Sequence, residues 1–337
     1  MSAEPRAKTS AEISVVGASI AGTWQALLFA EAGWKVTLYE RDGENLPSAA
    51  SHWAGGMLAP DCEAESAEPV ISRLGVRSLD LWKKHYVGAE FGGSLVVAHS
   101  RDRSDFERFA RTTSGYERMS GDALDAIEPA LKGRFRDGLF FAREGHVEPR
   151  KTLPALHGRL KQKGVSIRYN TEAEPRDLDG WVVDCRGLGA RERFPDLRGV
   201  KGEIVIVETQ EVKLERPVRL LHPRWPLYIV PRENGRFLIG ATTIESEERD
   251  VSVRSALELL TAAYALHPAF AEARIVEIGA GLRPAFPDNL PRIRVDGGQI
   301  AVNGLYRHGF LLAPALAELT LNYVLHGALD NEVMQWS

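Results

Sequence analysis

Two cysteines in 337 residues are too few for a disulfide framework. Cys62 and Cys185 lie far apart, and no CxxC pair offers zinc or redox chemistry. Both read as plain thiols in a reducing compartment. Histidine is sparse, with nine residues scattered without ligand spacing, so no metal is expected. Charge of one sign is lacking: 42 Lys and Arg face 46 Asp and Glu, a formal −4, which gives no electrostatic reason to expect nucleic acid. No run approaches the ~18 apolar residues of a membrane span. The first residues, MSAEPRAKTSAE, lack the apolar core of a signal peptide. No repeat or low-complexity tract is present. These absences point to a cytoplasmic protein with no membrane and no nucleic-acid partner, and with residues 1–11 as a disordered start.

What is present is an ordinary globular balance, 44% apolar and 26% charged, in a chain long enough for one large domain or two intertwined ones. The most informative stretch is ISVVGASIAGTWQALLFAEAGWKVTLYE, residues 13–40. A short apolar run meets a glycine turn, helical text follows to Gly33, and a second apolar run ends in Glu40. This is the strand–turn–helix–strand unit that binds the adenosine diphosphate half of FAD or NAD. Gly17 permits the tight turn. Ala18, Ser19, Ile20, Ala21 and Gly22 bring backbone N–H groups to a pyrophosphate at the helix N-terminus, where the dipole favours negative charge. Gly22 and Ala26 let the helix lie close to the sheet. Glu40, followed by Arg41, is in reach of a ribose hydroxyl. Ser19 stands where a second glycine is usual; it is small, and its hydroxyl can bond a phosphate oxygen.

Farther on, small residues cluster in SAASHWAGGMLAP (48–60), and helices are predicted near 68–87 and 149–164. Strands are predicted near 94–99, 138–141, 165–169 and 180–185. After residue 200 the text turns to EIVIVE, LYIVPR and RFLIGATT, with Asn234-Gly235 as a hairpin turn. A helix at 253–266, a strand at 277–284 and a last β run, QIAVN, precede an apolar helix. A mostly antiparallel sheet thus lies between two regions of nucleotide-binding type, which suggests an interleaved architecture.

Six segments carry a resemblance: WAGGMLAP (53–60), GHVEPRKTLPAL (145–156), GVKGE (199–203), YIVPRENGRFLIGATT (228–243), GLRPAFPDNLP (281–291) and GLYRHGFLLAPALAE (304–318). The chain resembles the FAD-dependent superfamily of D-amino-acid oxidase, sarcosine oxidase and glycine oxidase, and most of all the glycine oxidase branch of thiamine biosynthesis. The resemblance implies an α/β fold. An FAD-binding Rossmann-like domain of glutathione-reductase type (12–87, 146–199 and 284–330) is interleaved with a mostly antiparallel α+β substrate domain (88–145 and 200–283). It places Arg283 on the substrate carboxylate, which its planar fork matches. It turns Tyr228 into the pocket, and sets Arg307 near flavin and substrate.

For the cofactor it implies that Ala54, Gly55, Gly56, Met57 and Leu58 line the flavin, that Ala173 lies on the adenine side, and that Gly187 turns beside the pyrophosphate. Gly304, His308, Gly309, Phe310 and Leu311 lead into a helix whose N-terminus faces the pyrimidine edge of the ring, with the His308 backbone N–H favoured over its imidazole. No flavin-linking cysteine falls at Cys62 or Cys185, so non-covalent FAD is expected. The implied partners are a small amino acid and O2, in a homo-oligomer. The implied reaction is oxidation of glycine to the imine with O2 reduced to hydrogen peroxide. Another amine or D-amino-acid oxidase or dehydrogenase, acting on sarcosine, D-alanine or D-proline, stays open. A flavin hydroxylase is disfavoured by Asn303-Gly304-Leu305-Tyr306-Arg307-His308, and a non-enzymatic flavoprotein by the intact Arg283 and Tyr228. Trp53, Met57, Trp225 and Pro226 are pocket-mouth candidates without a placement.

Overall fold

The apolar run around Val15 and Val16 forms a buried strand, Glu12–Val16, of a seven-stranded sheet. The computed structural model describes residues 11–222 and 227–336. The sheet runs in the order Met334–Trp336, Arg292–Asp296, Gln299–Asn303, Trp181–Asp184, Glu12–Val16, Lys35–Tyr39, Ser166–Arg168. Its pairings are parallel except for the hairpin of Arg292–Asp296 with Gln299–Asn303. That hairpin and the edge strand Met334–Trp336 were not foreseen. The text RIRVD hides its alternation behind two arginines. Ile293 and Val295 are buried, while Arg292 and Arg294 lie over the rings of Phe286 and Phe194, 4.0 and 4.7 Å from the centroids.

The helix Ile20–Glu31 lies on this sheet. Ile20–Glu31 is buried on nearly every side because Gly309–His326 packs across it. Two of its polar side chains find partners inside: Gln25 donates to Thr320 Oγ1 at 3.1 Å and Thr23 to the Ala18 carbonyl at 2.9 Å. Gly309–His326 carries Pro314, which cannot donate to the Phe310 carbonyl. Trp82, on the helix Pro69–His85, donates its indole N–H there instead, at 2.9 Å.

The chain leaves this sheet twice to build a second one, of eight strands. Its order is Arg274–Ala285, Arg198–Glu208, Arg236–Gly240, Leu227–Pro231, Val218–Leu221, Ser94–Ala98, Asp137–Phe141, Glu117–Ser120. Only Val218–Leu221 and Ser94–Ala98 run parallel. Asn234 and Gly235 both take left-handed backbone, φ +61° and +69°, as a two-residue hairpin turn requires. One face of the sheet packs on the helix Val253–Leu266 through Val205, Ile229 and Ile239. The alternate residues Ile204, Val230, Leu238 and Tyr228 point the other way, toward Trp53 and Met57. That second face is the wall of the site. Among the described residues no helix is long and apolar enough to cross a membrane.

Candidate active site

A cavity of about 210 Å³ runs from the glycine turn of the first sheet to the inner face of the second. At its nucleotide end Gly17 takes φ +98°, and a Cβ there would lie 2.6 Å from the Cys185 carbonyl oxygen. A Cβ on Gly22 would lie 1.8 Å from the Gly17 carbonyl, so strand and helix meet at a distance only glycine allows. Ile20 and Ala21 line the cavity, and N–H groups of the first helical turn have no carbonyl four residues back to bond. Ser19 shares a 2.6 Å hydrogen bond with the Ser51 hydroxyl, so its side chain is braced rather than free. Glu40 accepts from the Ala18 N–H at 2.7 Å and from the Asp42 N–H at 2.9 Å. Each of its oxygens keeps acceptor capacity. Ala173 is half-buried, two residues beyond Thr171, whose N–H bonds the Glu40 carbonyl at 2.8 Å. Arg41 is exposed and extends toward Gly189.

Ala54, Gly55, Gly56 and Met57 line the middle of the cavity, and Gly187, Gly309 and Phe310 line its far side. Leu58 does not: in the short strand Met57–Leu58 successive side chains oppose, and Leu58 is wholly buried in the core. Leu311 likewise packs into the core under the helix, where a Cβ on Gly75 would meet it at 3.1 Å. The expectation for His308 is corrected too. Its backbone N–H is taken by the Leu305 carbonyl at 2.9 Å, and its imidazole lies 3.5 Å from Glu63. Burial, against the pull of Glu63, pushes the imidazole down to about 4, so it is neutral near pH 7. Gly304 is a turn residue, φ +73°, covered by Phe286. Asn303 joins two of these turns, donating to the Gly187 carbonyl at 2.9 Å and accepting from the Gly304 N–H at 2.8 Å.

At the other end stand Tyr228, Arg283 and Arg307. Arg283 lies across Gly202 on the adjacent strand, where a Cβ would overlap its guanidinium. It donates to the Thr242 carbonyl at 3.0 Å, and among the described residues no carboxylate lies within 4 Å of it. Burial lowers its pKa, the mark of a cation without an acid partner. The Tyr228 ring lies on Gly55, and burial raises its phenol pKa, keeping the hydroxyl protonated.

Glu63 is the acid that sequence reasoning missed. It lines the cavity and pairs with Arg307 at 2.9 Å. Burial pushes its carboxyl up, but Arg307, His308 and Arg219 outweigh that and hold it down at about 2. Glu63 ends the single turn Pro60–Glu63, and that turn is gripped from below. Buried Glu144 accepts from the N–H groups of Asp61 and Cys62 at 2.9 and 2.8 Å, and Arg143 holds both oxygens of Asp61. Arg219, also missed, lines the cavity from the strand Val218–Leu221. No local signal distinguishes either residue; only the alternation of RPVRL would have turned Arg219 inward. Of the unplaced candidates Trp53 and Met57 line the cavity, while Trp225 and Pro226 lie outside the described residues. Among the described residues no group of acids, histidines and cysteines could hold a metal.

The FAD dependent oxidoreductase family matches residues 12–322. A protein named as the thiamine biosynthesis oxidoreductase ThiO of Rhizobium etli is 51% identical over 307 residues, covering 90% of this chain and 94% of its own length. The glycine oxidase of Geobacillus kaustophilus is 26% identical over 354 residues, 93% of this chain and 92% of its own. The crystal structure of glycine oxidase from Bacillus cereus superposes with a TM-score of 0.78 at 23% identity, over 96% of this chain and 97% of that one, and so shares the fold. A phosphate-type glycine turn facing an arginine-bearing sheet across one cavity, in a chain matched over nearly its whole length, leads to one conclusion: this protein belongs to the FAD dependent oxidoreductase family.

Proposed function

We propose that the protein oxidises glycine, or a similarly small amino acid, to the imine with O2 as the final acceptor, and that the imine serves thiamine thiazole synthesis. The observation that carries this is Arg283: a half-buried arginine lining the cavity, bonded to one carbonyl and to no acid among the described residues. A substrate carboxylate completes it.

The residues present fit FAD. The Gly17–Gly22 turn suits a pyrophosphate, Glu40 a ribose hydroxyl, and the small residues 54–56 a flat ring passing close to the backbone. The N-terminus of Gly309–His326 opens on the same cavity and favours negative charge there. Bound FAD supplies a hydride acceptor and, once reduced, passes two electrons to O2. Cys185 lines the cavity, but burial raises its thiol pKa well above the usual range, which supports a non-covalent cofactor.

The chain's own contribution is positioning. Arg283 anchors the carboxylate, and the Tyr228 hydroxyl donates to it or to the amine's surroundings. Glu63 holds Arg307 in place. A carboxylate kept near 2 is a poor proton acceptor, so Glu63 is no general base. The amine enters neutral, and its lone pair assists departure of the Cα hydride. The test is anaerobic mixing of the yellow holoenzyme with glycine, sarcosine, D-alanine and D-proline. Bleaching fastest with glycine, and peroxide on admitting air, is expected. Bleaching by none of them rejects the reading.

A further inference from the structure

Three alternate positions on the inner face of Arg274–Ala285 are Gly279, Gly281 and Arg283, spaced about 7 Å apart. Two bare positions in a row leave a notch in the sheet, and the indole of Trp53 fills it. A Cβ on Gly279 would lie 1.9 Å from the six-membered ring of Trp53, and one on Gly281 would lie 2.9 Å from the Trp53 Cβ. Arg150 stands over the indole, 5.1 Å from its centroid. Arg150 is itself fixed: it donates to both oxygens of Glu277, at 2.6 and 3.1 Å, and to the His52 carbonyl at 3.2 Å. The ring is thus seated on the strand and capped by an anchored cation. Behind the Arg150 cap lies a second cavity of about 170 Å³, bordered by His52, Arg150, Ile204, Leu238 and Glu277. Ala54, the next residue in the chain, borders both cavities.

We propose that Trp53, seated on Gly279 and Gly281, is the partition that sets substrate size, closing the amino-acid pocket beside Arg283 against the second cavity. The proposal rests on the amine-oxidising reading above. Trp53 lies on Gly281, two residues before Arg283 on the same face of the strand, and both line one cavity, so bulk added to a carboxylate on Arg283 in that direction would meet this ring. Because the ring is pinned on two sides, it acts as a fixed wall and not as a moving lid.

The test uses FAD-containing protein and two readouts. In the first, acetate and benzoate are titrated while the visible flavin spectrum reports binding. Trp53→Ala should tighten benzoate at least tenfold and move acetate less than about threefold, since each added carbon group in such a pocket is worth roughly tenfold or more. Trp53→Leu should fall between, and Trp53→Phe should stay near the parent. In the second, anaerobic flavin reduction is measured with amino acids of rising side-chain size. The ranking should shift toward the larger ones in Trp53→Ala and Trp53→Leu. If acetate and benzoate move together, or the ranking holds while the parent oxidises glycine, the partition is refuted and the functional reading survives. A parent whose flavin responds to no carboxylate and no amino acid overturns both.

Discussion

The two ends of the cavity are made of different material. The nucleotide end is backbone: Gly17, Gly22, a helix terminus and one acid, all within residues 13–40. The proposed substrate end is side chain: Glu63, Arg219, Tyr228, Arg283 and Arg307, brought together from five elements across nearly three-quarters of the chain. The first end tolerates almost no added atom. The second has room, and its danger is an unpaired charge.

That contrast orders the expected effects. Gly22→Val puts a branched side chain where even a Cβ lies 1.8 Å from a backbone carbonyl, so it should abolish holoenzyme, seen as colourless or aggregated protein. A yellow, stable Gly22→Val would break the account of that turn. Arg283→Lys should leave FAD bound and fail at the other end. Losing the bidentate fork on a desolvated carboxylate costs about 2–5 kcal/mol, or roughly 30- to 4,000-fold in flavin reduction at low glycine, with lysine near the lower figure. Oxidation of the reduced flavin should be unchanged. Parental reduction rates would take Arg283 out of the site.

Glu63→Gln probes charge alone. The folded carboxyl sits at about 2 against 4.5 for the ordinary group, which makes the ionised pair worth about 3 kcal/mol at neutral pH. A depressed acid stabilises above its unfolded value and loses that stabilisation as pH falls toward the folded one. The stability gap between parent and Glu63→Gln should therefore be widest above pH 5 and narrow by about 1 kcal/mol by pH 4, measured by calorimetry on holoenzyme. A gap that ignores pH would mean that Glu63 acts through shape. The smallest effect belongs to Gly33→Ala. This glycine also lies in the dinucleotide stretch, with φ +85°, but nothing stands within 4 Å of its would-be Cβ. It should cost about 1 kcal/mol of stability, from backbone conformation alone, with FAD affinity intact.

The same contrast governs what the sequence could reveal. A backbone site needs consecutive residues of defined size, so Gly17, Gly22 and Glu40 were legible as one string. Arg283 and Tyr228 were reached through family resemblance, since an arginine at a strand end carries no local mark. Glu63 escaped because a four-residue turn has no periodicity, and its low pKa arises from Arg307, more than two hundred residues away. Leu58 and Leu311 were placed on the cavity because a motif was read as a surface, whereas strand and helix geometry turn alternate members away. Trp53 could not be placed because its seat, Gly279 and Gly281, is visible only once the strand lies against it. The hairpin Arg292–Asp296 was hidden by arginines that stack on phenylalanines.

The strand that carries Arg283 is the outermost of its sheet, hydrogen-bonded on one side only, to Arg198–Glu208. An inner strand such as Leu227–Pro231 must break two ladders to open; this one breaks one. Amides of Arg274–Ala285 should therefore exchange with solvent sooner than those of Leu227–Pro231, a local breathing that leaves the rest of the sheet intact. If, as proposed, a carboxylate binds Arg283 and needs this strand in place, occupancy should add protection at this edge. Occupancy of the pocket is thereby written into the exchange rate of a strand, and can be read there without any turnover.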